Sequence, residues 1–152
     1  MYTKQYTSQL REEFWTIFGQ YMAPVPNTDG EKINWVNYKT GSRFVQFKME
    51  AGSTGATVAI EIFHPEMAAR DLYFQHLLSQ KKMFENIMGD DWIWHSHHYS
   101  PAGKTVALIT KKISTPDLFN KATWPEIVGF FKKSIIAFDS FWQMAKYSFD
   151  AL

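Results

Sequence analysis

The chain has 152 residues, 16 of them basic and 15 acidic, so its formal net charge is +1, and it contains no cysteine. The lack of cysteine excludes disulfides, thiolate catalysis, iron–sulfur clusters and cysteine-ligated zinc. The near-neutral charge gives no overall field that would hold a polyanion. Aromatic residues make up 17% of the chain, a load that suits a tight core and also suits interfaces. The length predicts a single domain spanning residues 1–152.

The sequence also bears on the cellular location. Its opening residues lack the apolar stretch of a signal peptide. No apolar run is long enough to cross a bilayer. We therefore expect a cytoplasmic protein that is not embedded in a membrane.

Hydrophobic periodicity and turn residues predict elements in the order α-β-β-β-α-β-β-α. The fold class is therefore α+β, with about five mostly antiparallel strands packed against three helices. One parallel crossover is an alternative, in which helix 66–88 connects strand 57–63 to strand 92–99. The first predicted helix begins between residues 3 and 8 and ends at 22, and the other helices span about 66–88 and 124–147. The predicted strands span residues 32–38, 44–50, 57–63, 92–99 and 104–113.

The clearest pattern is an apolar stripe near the C-terminus. Its side chains recur at alternating spacings of four and three, which places them along one face of a helix. We interpret the stripe as core, while a coiled-coil seam between two copies of the chain is the alternative. Thr123 and Glu126 predict a capping box at the start of the helix, and the flanking Phe130, Phe141 and Tyr147 are the candidates for a homodimer contact. The stripe consists of Trp124, Val128, Phe131, Ile135, Phe138, Trp142, Ala145 and Phe149.

Three histidines lie close together at the end of a predicted strand. Side chains two residues apart on a strand point the same way, so His95 and His97 could ligate one metal ion, with His64 or Glu61 completing the site. The simpler interpretation is that His95, His97 and His98 form the frayed end of a strand beside a turn. We adopt that interpretation and expect no bound cofactor.

Two carboxylates on neighbouring strands raise the question of a metal-dependent enzyme. Glu50 and Glu61 could approach each other across the sheet, and paired acids beside a lysine hold Mg²⁺ or Mn²⁺ in many nucleases. Phe63 stands where that lysine would be needed, which leaves Lys48 on the neighbouring strand as the substitute. The simpler interpretation is that Glu61 is a solvent-facing or hydrogen-bonded residue of a half-buried sheet.

Interleaved aromatic residues are the candidates for a binding surface. Trp35 and Tyr38 could stack against the bases of a nucleic acid on the face of a sheet. Trp92 and Trp94 share one predicted strand face, but a buried aromatic pair beneath a helix is the commoner arrangement for such residues.

Several stretches, spread over nearly the whole chain, together form a specific pattern. They are Phe14-Trp15-x-x-Phe18-Gly19-Gln20-Tyr21-Met22, Ile33-Asn34-Trp35-x-Asn37-Tyr38-Lys39-Thr40-Gly41, Glu61-Ile62-x-His64-Pro65, Trp92-Ile93-Trp94, Gly103-Lys104-Thr105, Phe141-Trp142 and Lys146-Tyr147-Ser148-Phe149-Asp150. This pattern resembles a bacterial domain family of unknown function. The resemblance implies a domain found alone or as the C-terminal part of longer proteins whose front half looks nuclease-like, and it implies no mechanism.

The predicted order α-β-β-β-α-β is also similar to the restriction-endonuclease-like core, whose active site places an acid on the second strand and an acid-x-lysine on the third. By this analogy Glu50 and Glu61 match the acids and Phe63 does not match the lysine, which implies an inactive enzyme. The sequence therefore predicts a non-catalytic binding or accessory module that recognises a protein or a nucleic acid. The alternative is a nuclease-like enzyme with a degenerate or migrated metal site at Glu50, Glu61 and Lys48.

Overall fold

The computed structural model describes residues 3–152, and this part of the chain contains four α-helices and one four-stranded sheet. Thr3 caps the first helix, since its side-chain oxygen accepts a hydrogen bond from the amide of Tyr6. A single turn of 3₁₀-helix, Lys121–Thr123, precedes the last helix. In chain order the elements are α1 (Lys4–Met22), β1 (Val45–Gly52), β2 (Gly55–Ile62), α2 (Met67–Ser79), α3 (Lys81–Met88), β3 (Ile93–Tyr99), β4 (Thr105–Ile113) and α4 (Trp124–Phe149).

The sheet is antiparallel throughout, in the order β1-β2-β4-β3. The predicted α+β class is therefore confirmed. β2 and β3 run in the same direction because each is antiparallel to β4, and α2 and α3 connect them as the sequence predicts. The alternative of a parallel crossover thus agrees with the strand directions, but the two strands do not pair with each other, because β4 lies between them.

The strand predicted at residues 32–38 is absent, so the described part of the sheet has four strands instead of five. Apart from one isolated bridge, the segment runs in turns. Its two aromatic residues, Trp35 and Tyr38, each donate a hydrogen bond to a partner outside the segment. The indole N–H of Trp35 donates to the carbonyl of Val25 at 2.8 Å, and the hydroxyl of Tyr38 donates to the carboxylate of Asp139 at 2.5 Å.

The predicted helix 66–88 is divided into α2 and α3 at Gln80, whose ψ of 13° interrupts the helical path. The side-chain amide of Gln80 donates to the hydroxyl of Ser148 on α4 at 3.1 Å, which ties the break to the last helix. The described residues therefore form four α-helices where the sequence pattern predicts three. Apolar residues continue on both sides of Gln80, and this continuity conceals the break.

α4 is the central element of the core, as its apolar stripe predicts. All residues of the stripe are buried except Val128, which is half-buried. Phe138 stacks on Phe47 of β1 with ring centroids 4.7 Å apart, and the indole N–H of Trp142 donates to the carbonyl of Thr40 at 2.6 Å. The interpretation of the stripe as core is confirmed.

The flank of α4 differs from the predicted homodimer contact. Phe141 is completely buried, where it meets the ring of Phe84 edge-on, and it is therefore not available to a second subunit. Phe130 is half-buried and Tyr147 is exposed. The prediction for Phe141 is wrong because α4 is covered on more than its stripe, by α3 as well as by the sheet.

The start of α4 also differs from the sequence prediction. The hydroxyl of Thr123 donates to the carbonyl of Asp117 at 2.6 Å and makes no capping bond to the helix. The carboxylate of Glu126 accepts a hydrogen bond from Thr115. The predicted capping box is therefore wrong, because both side chains bind the segment that precedes the helix.

None of the helices in residues 3–152 combines the length and the apolar character needed to cross a bilayer. α4 has 26 residues and would be long enough. Charged side chains interrupt it, however, among them Lys132, Lys133 and Asp139.

Gly55, at the start of β2, is required by the close approach of β4. Its φ is +123°, and a β-carbon there would lie 2.1 Å from the carbonyl oxygen of Ile113. Gly55→Ala should therefore lower the free energy of unfolding by at least about 1–2 kcal/mol. Gly129→Ala is the matched control, because Gly129 lies in α4 with open space around it, and it should raise stability by about 0.5–1 kcal/mol. Urea denaturation measures both, and changes of the same sign would contradict the prediction.

Candidate functional site

Within residues 3–152 the helices pack on one face of the sheet and leave the other face open. Val58 and Ile60 of β2 join the helices in the core, whereas Ala59 and Glu61 alternate with them and point to the opposite face. An open cavity of about 770 Å³ lies on that face. This volume is within the usual range of ligand pockets.

The floor of the cavity is apolar and its two walls are polar. The floor is formed by Ala59, Val106 and Leu108, from the two central strands. The first wall, which we call the β1 wall, consists of Gln46, Lys48, Glu50 and Glu61. The second, which we call the hairpin wall, consists of His98, Ser100, Ala102 and Lys104, at the turn between β3 and β4.

The β1 wall brings together the three weak catalytic candidates from the sequence. Lys48 Nζ lies 3.5 Å from Glu61 Oε2 and 3.4 Å from Glu50 Oε1. Gln46 stands directly opposite Glu61 in the register of β1 and β2, and its side-chain amide donates to Glu61 Oε1 at 2.8 Å. Glu61 is 9% exposed, so both oxygens of a largely buried carboxylate have partners. The interpretation of Glu61 as a hydrogen-bonded residue of the sheet is confirmed.

The ammonium group of Lys48 occupies the space between the two carboxylates. Burial alone would lower the pKa of Lys48, but the negative charges of Glu61 and Glu50 outweigh it and hold the pKa above its ordinary value. Lys48 therefore stays protonated at neutral pH. A metal ion held by both acids would have to displace it.

A β-bulge in β3 decides which histidine faces the cavity. His95 pairs with Leu108 and His98 pairs with Val106, so three steps along β3 span two along β4. His95 and His98 therefore share a face, with ring centroids 6.1 Å apart, and His98 lines the cavity. The bulge interrupts the regular alternation that would place His97 beside His95.

The loop after β3 completes the hairpin wall. The amide of Ser100 donates to the carbonyl of Lys104 at 2.7 Å, and the amide of Lys104 donates back to the hydroxyl of Ser100 at 3.2 Å. Gly103 allows this tight loop because its φ of +81° lies in the left-handed region. Lys104 extends from this closed loop and has no carboxylate within ion-pair distance among the described residues.

We expect no metal ion to bind at His95 and His97. In the described part of the chain, no three histidine, aspartate or glutamate side chains are grouped so that they could hold a metal ion. Calorimetric titration with Zn²⁺, Mn²⁺ and Mg²⁺ should therefore give no stoichiometric binding. Submicromolar affinity that is lost in His95→Ala but retained in His76→Ala would contradict this expectation.

Trp35 and Tyr38, the candidates for base stacking, lie away from the open sheet face. Trp35 is 2% exposed and stacks on Tyr38 with ring centroids 6.1 Å apart. Tyr38 lines a second, smaller cavity of about 390 Å³ beside α4. Trp35 is therefore enclosed by protein, and a ligand contact of Tyr38 in the smaller cavity stays a prediction.

Asp139 is the buried acid that the sequence patterns missed. It lies inside α4, and its carboxylate accepts hydrogen bonds from the amide and hydroxyl of Thr28, the hydroxyl of Tyr38 and the side-chain amide of Gln143. Burial alone would raise the pKa of Asp139, but the hydrogen bonds from Thr28 and Tyr38 hold it below its usual range. Burial and the hydrogen bond to Asp139 raise the pKa of Tyr38. Asp139 thus fastens the segment before β1 to α4. In the sequence, a single acidic residue within an apolar helical run was the pattern that could have identified it.

A serine–histidine contact between α2 and α4 has a structural role. Ser148 Oγ lies 2.6 Å from Nε2 of His76 and accepts a hydrogen bond from the side-chain amide of Gln80. The hydroxyl proton of Ser148 is donated to the carbonyl of Ala145 at 2.8 Å. The contact links α2 to α4, and no carboxylate within residues 3–152 forms an ion pair with His76 that would orient it as a catalytic base.

Comparison with known proteins identifies a family for most of the chain. The model of a domain of unknown function, DUF4268, matches residues 10–146, a span that contains both walls of the cavity and most of α4. The predicted resemblance to a domain family of unknown function is thereby confirmed. No curated protein and no solved structure matches the chain.

Proposed function

The chain belongs to the DUF4268 family of domains of unknown function, and we propose that it is a non-catalytic binding module that takes a segment of a partner protein in the cavity on its sheet. The observation that carries the proposal is the cavity, in which an apolar floor lies between two polar walls. Binding pockets combine apolar surface with a few placed polar groups in this way. An extended peptide alternates its side chains, so it can place apolar groups on the floor and polar groups on the walls.

The charges of the β1 wall favour a protein over a nucleic acid. The carboxylates of Glu50 and Glu61 outnumber the single ammonium of Lys48, so a phosphate group would be repelled there. Nucleic acids are held by several unbalanced lysine and arginine side chains and by aromatic stacking, and within residues 3–152 this cavity offers one such side chain, Lys104. Apart from Phe63, the described residues that line the cavity include no phenylalanine, tyrosine or tryptophan, and the formal net charge of the chain is only +1.

The β1 wall also favours binding over catalysis. A general acid or base must exchange protons near neutral pH while in contact with its substrate. Lys48 is held in its charged form between two acids. Both oxygens of Glu61 are engaged by Gln46 and Lys48.

A random peptide library displayed on phage and selected against the full chain tests the proposal. Peptides that bind should shift the backbone amide signals of β1, β2, β4 and the loop 100–104 in NMR spectra of the unmodified protein. Leu108→Arg places a long charged side chain on the cavity floor and should abolish binding. Leu72→Arg, at an exposed position on α2, is the matched control and should bind as the unmodified protein does.

The outcomes separate the proposal from its competitors. Circular dichroism verifies that both variants fold, and the NMR map does not depend on either of them. A library that yields no binder, or binders that shift signals elsewhere on the surface, would overturn the proposal. Single-stranded oligonucleotides that bind this face while peptides do not would show that the partner is a nucleic acid.

A metal-dependent nuclease is the second candidate, because Glu50, Glu61 and Lys48 do converge on one wall. Two carboxylates could hold Mg²⁺ or Mn²⁺ if the ammonium of Lys48 moved aside, and such an ion could activate water against a phosphodiester. This route begins with breaking two ion pairs, which disfavours it relative to binding.

We expect the purified protein to leave single- and double-stranded DNA and RNA uncleaved in the presence of Mg²⁺ or Mn²⁺. The reason is that Lys48 occupies the space between the acids that an ion would need. Cleavage that disappears in both Glu61→Gln and Lys48→Ala, and persists in the exposed control Lys82→Ala, would establish the nuclease and contradict the binding module.

A further inference from the structure

The two walls of the cavity carry opposite charge. On the β1 wall, the two carboxylates of Glu50 and Glu61 share one ammonium, that of Lys48, so this wall is negative overall. On the hairpin wall, the ammonium of Lys104 has no ion-pair partner within residues 3–152, and the imidazole of His98 makes no hydrogen bond there. The hairpin wall therefore offers unengaged hydrogen-bond donors.

These donors are held in place before any ligand arrives. The paired hydrogen bonds between Ser100 and Lys104 close the loop. The amide of Gly103 adds a further bond to the carbonyl of Ser100 at 2.9 Å. The bulge in β3 turns His98 toward the same cavity. A wall fixed in this way loses little conformational freedom on binding, which favours affinity.

We propose that the segment bound in the cavity carries a carboxylate side chain that is recognised by Lys104 and His98. This inference rests on the proposed binding function. An acidic side chain accepts charge-assisted hydrogen bonds from an ammonium and from an imidazole N–H. The same side chain would be repelled by Glu50 and Glu61 on the opposite wall, so the charges also fix the direction in which the segment lies.

The test uses peptides selected on the full chain by phage display and shown by NMR to bind in the cavity. Such peptides should share an aspartate or glutamate at one position. Lys104→Glu should weaken their binding at least about tenfold. Lys82→Glu makes the same change in net charge at an exposed position of α3 and should change the Kd by less than about twofold.

A charge swap makes the test specific. Replacing the shared acidic residue of the peptide with lysine should weaken binding to the unmodified protein and restore binding to Lys104→Glu. Lys104 lies in an exposed loop, and thermal melting verifies that the variant folds.

The results distinguish this inference from the proposed function. Peptides that bind in the cavity without a shared acidic residue would overturn the inference and leave the binding function standing. If Lys104→Glu and Lys82→Glu changed the Kd of the peptides equally, this would also overturn the inference and leave the binding function standing. A selection that yields no peptide bound in the cavity would overturn both.

Discussion

Replacing Phe138 with alanine should lower the free energy of unfolding by roughly 3–5 kcal/mol. The side chain is completely buried between α4 and the sheet. Its ring stacks on Phe47 at 4.7 Å and on Trp142 at 5.8 Å, and it meets Tyr38 edge-on at 5.6 Å. Truncation removes all three ring contacts, and it leaves a void that rigid aromatic neighbours fill poorly.

Tyr147→Ala is the matched control for this prediction. It removes an aromatic side chain from the same helix at a position that is 68% exposed, and it should change the free energy of unfolding by less than about 0.5 kcal/mol. Urea denaturation gives the energies, and analytical ultracentrifugation gives the oligomeric state. A Phe138→Ala variant that loses little stability but changes its oligomeric state would show that the stripe is a seam between chains.

Periodicity predicted the elements that build the core. α4 repeats its apolar residues at helical spacing, and β2 alternates Val58, Ile60 and Ile62 with residues of the open face, so both patterns are local. The false strand at 32–38 shows the limit of such patterns. Trp35 and Tyr38 are residue types that favour a strand, but each donates a hydrogen bond to a residue outside the segment, and no short window of sequence contains both partners.

The candidate site was predictable only where the strands are regular. The convergence of Lys48 and Glu61 follows from alternation once β1 and β2 pair, and those residues were identified from the sequence. Gln46 was missed because an amide on a strand looks like any other polar residue. His98 and Lys104 reach the cavity through a bulge and a closed loop, and the position of β4 beside β2 brings them there. The turn residues 100–103 predict the loop, but neither the bulge nor the position of β4 beside β2 has a local sequence signal.

Replacing Asp139 with asparagine should lower the free energy of unfolding by roughly 3 kcal/mol, since hydrogen bonds to a charged group contribute about 1.5–3 kcal/mol each. The carboxylate is 1% exposed and accepts from Thr28, Tyr38 and Gln143. The side-chain N–H₂ of asparagine would face the groups of Thr28, Tyr38 or Gln143 that donate to the carboxylate, and donors cannot bind each other. Tyr38→Phe is the graded control, because it removes one of these bonds and should cost about 1.5 kcal/mol, the lower end of that range.

The same carboxylate should make stability depend on pH in the acid range. The pKa of Asp139 is lowered in the folded protein, so its contribution to stability is fully present above the ordinary aspartate value of 3.8. As the pH falls below that value, the unfolded chain binds a proton that the folded chain does not, and the contribution is lost as the pH passes through the lowered pKa. Urea denaturation at a series of pH values from 6 down to about 2.5 should therefore show a steeper loss of stability in the unmodified protein than in Asp139→Asn. Parallel pH curves for the two proteins would contradict the view that a charged Asp139 fastens the segment before β1 to α4.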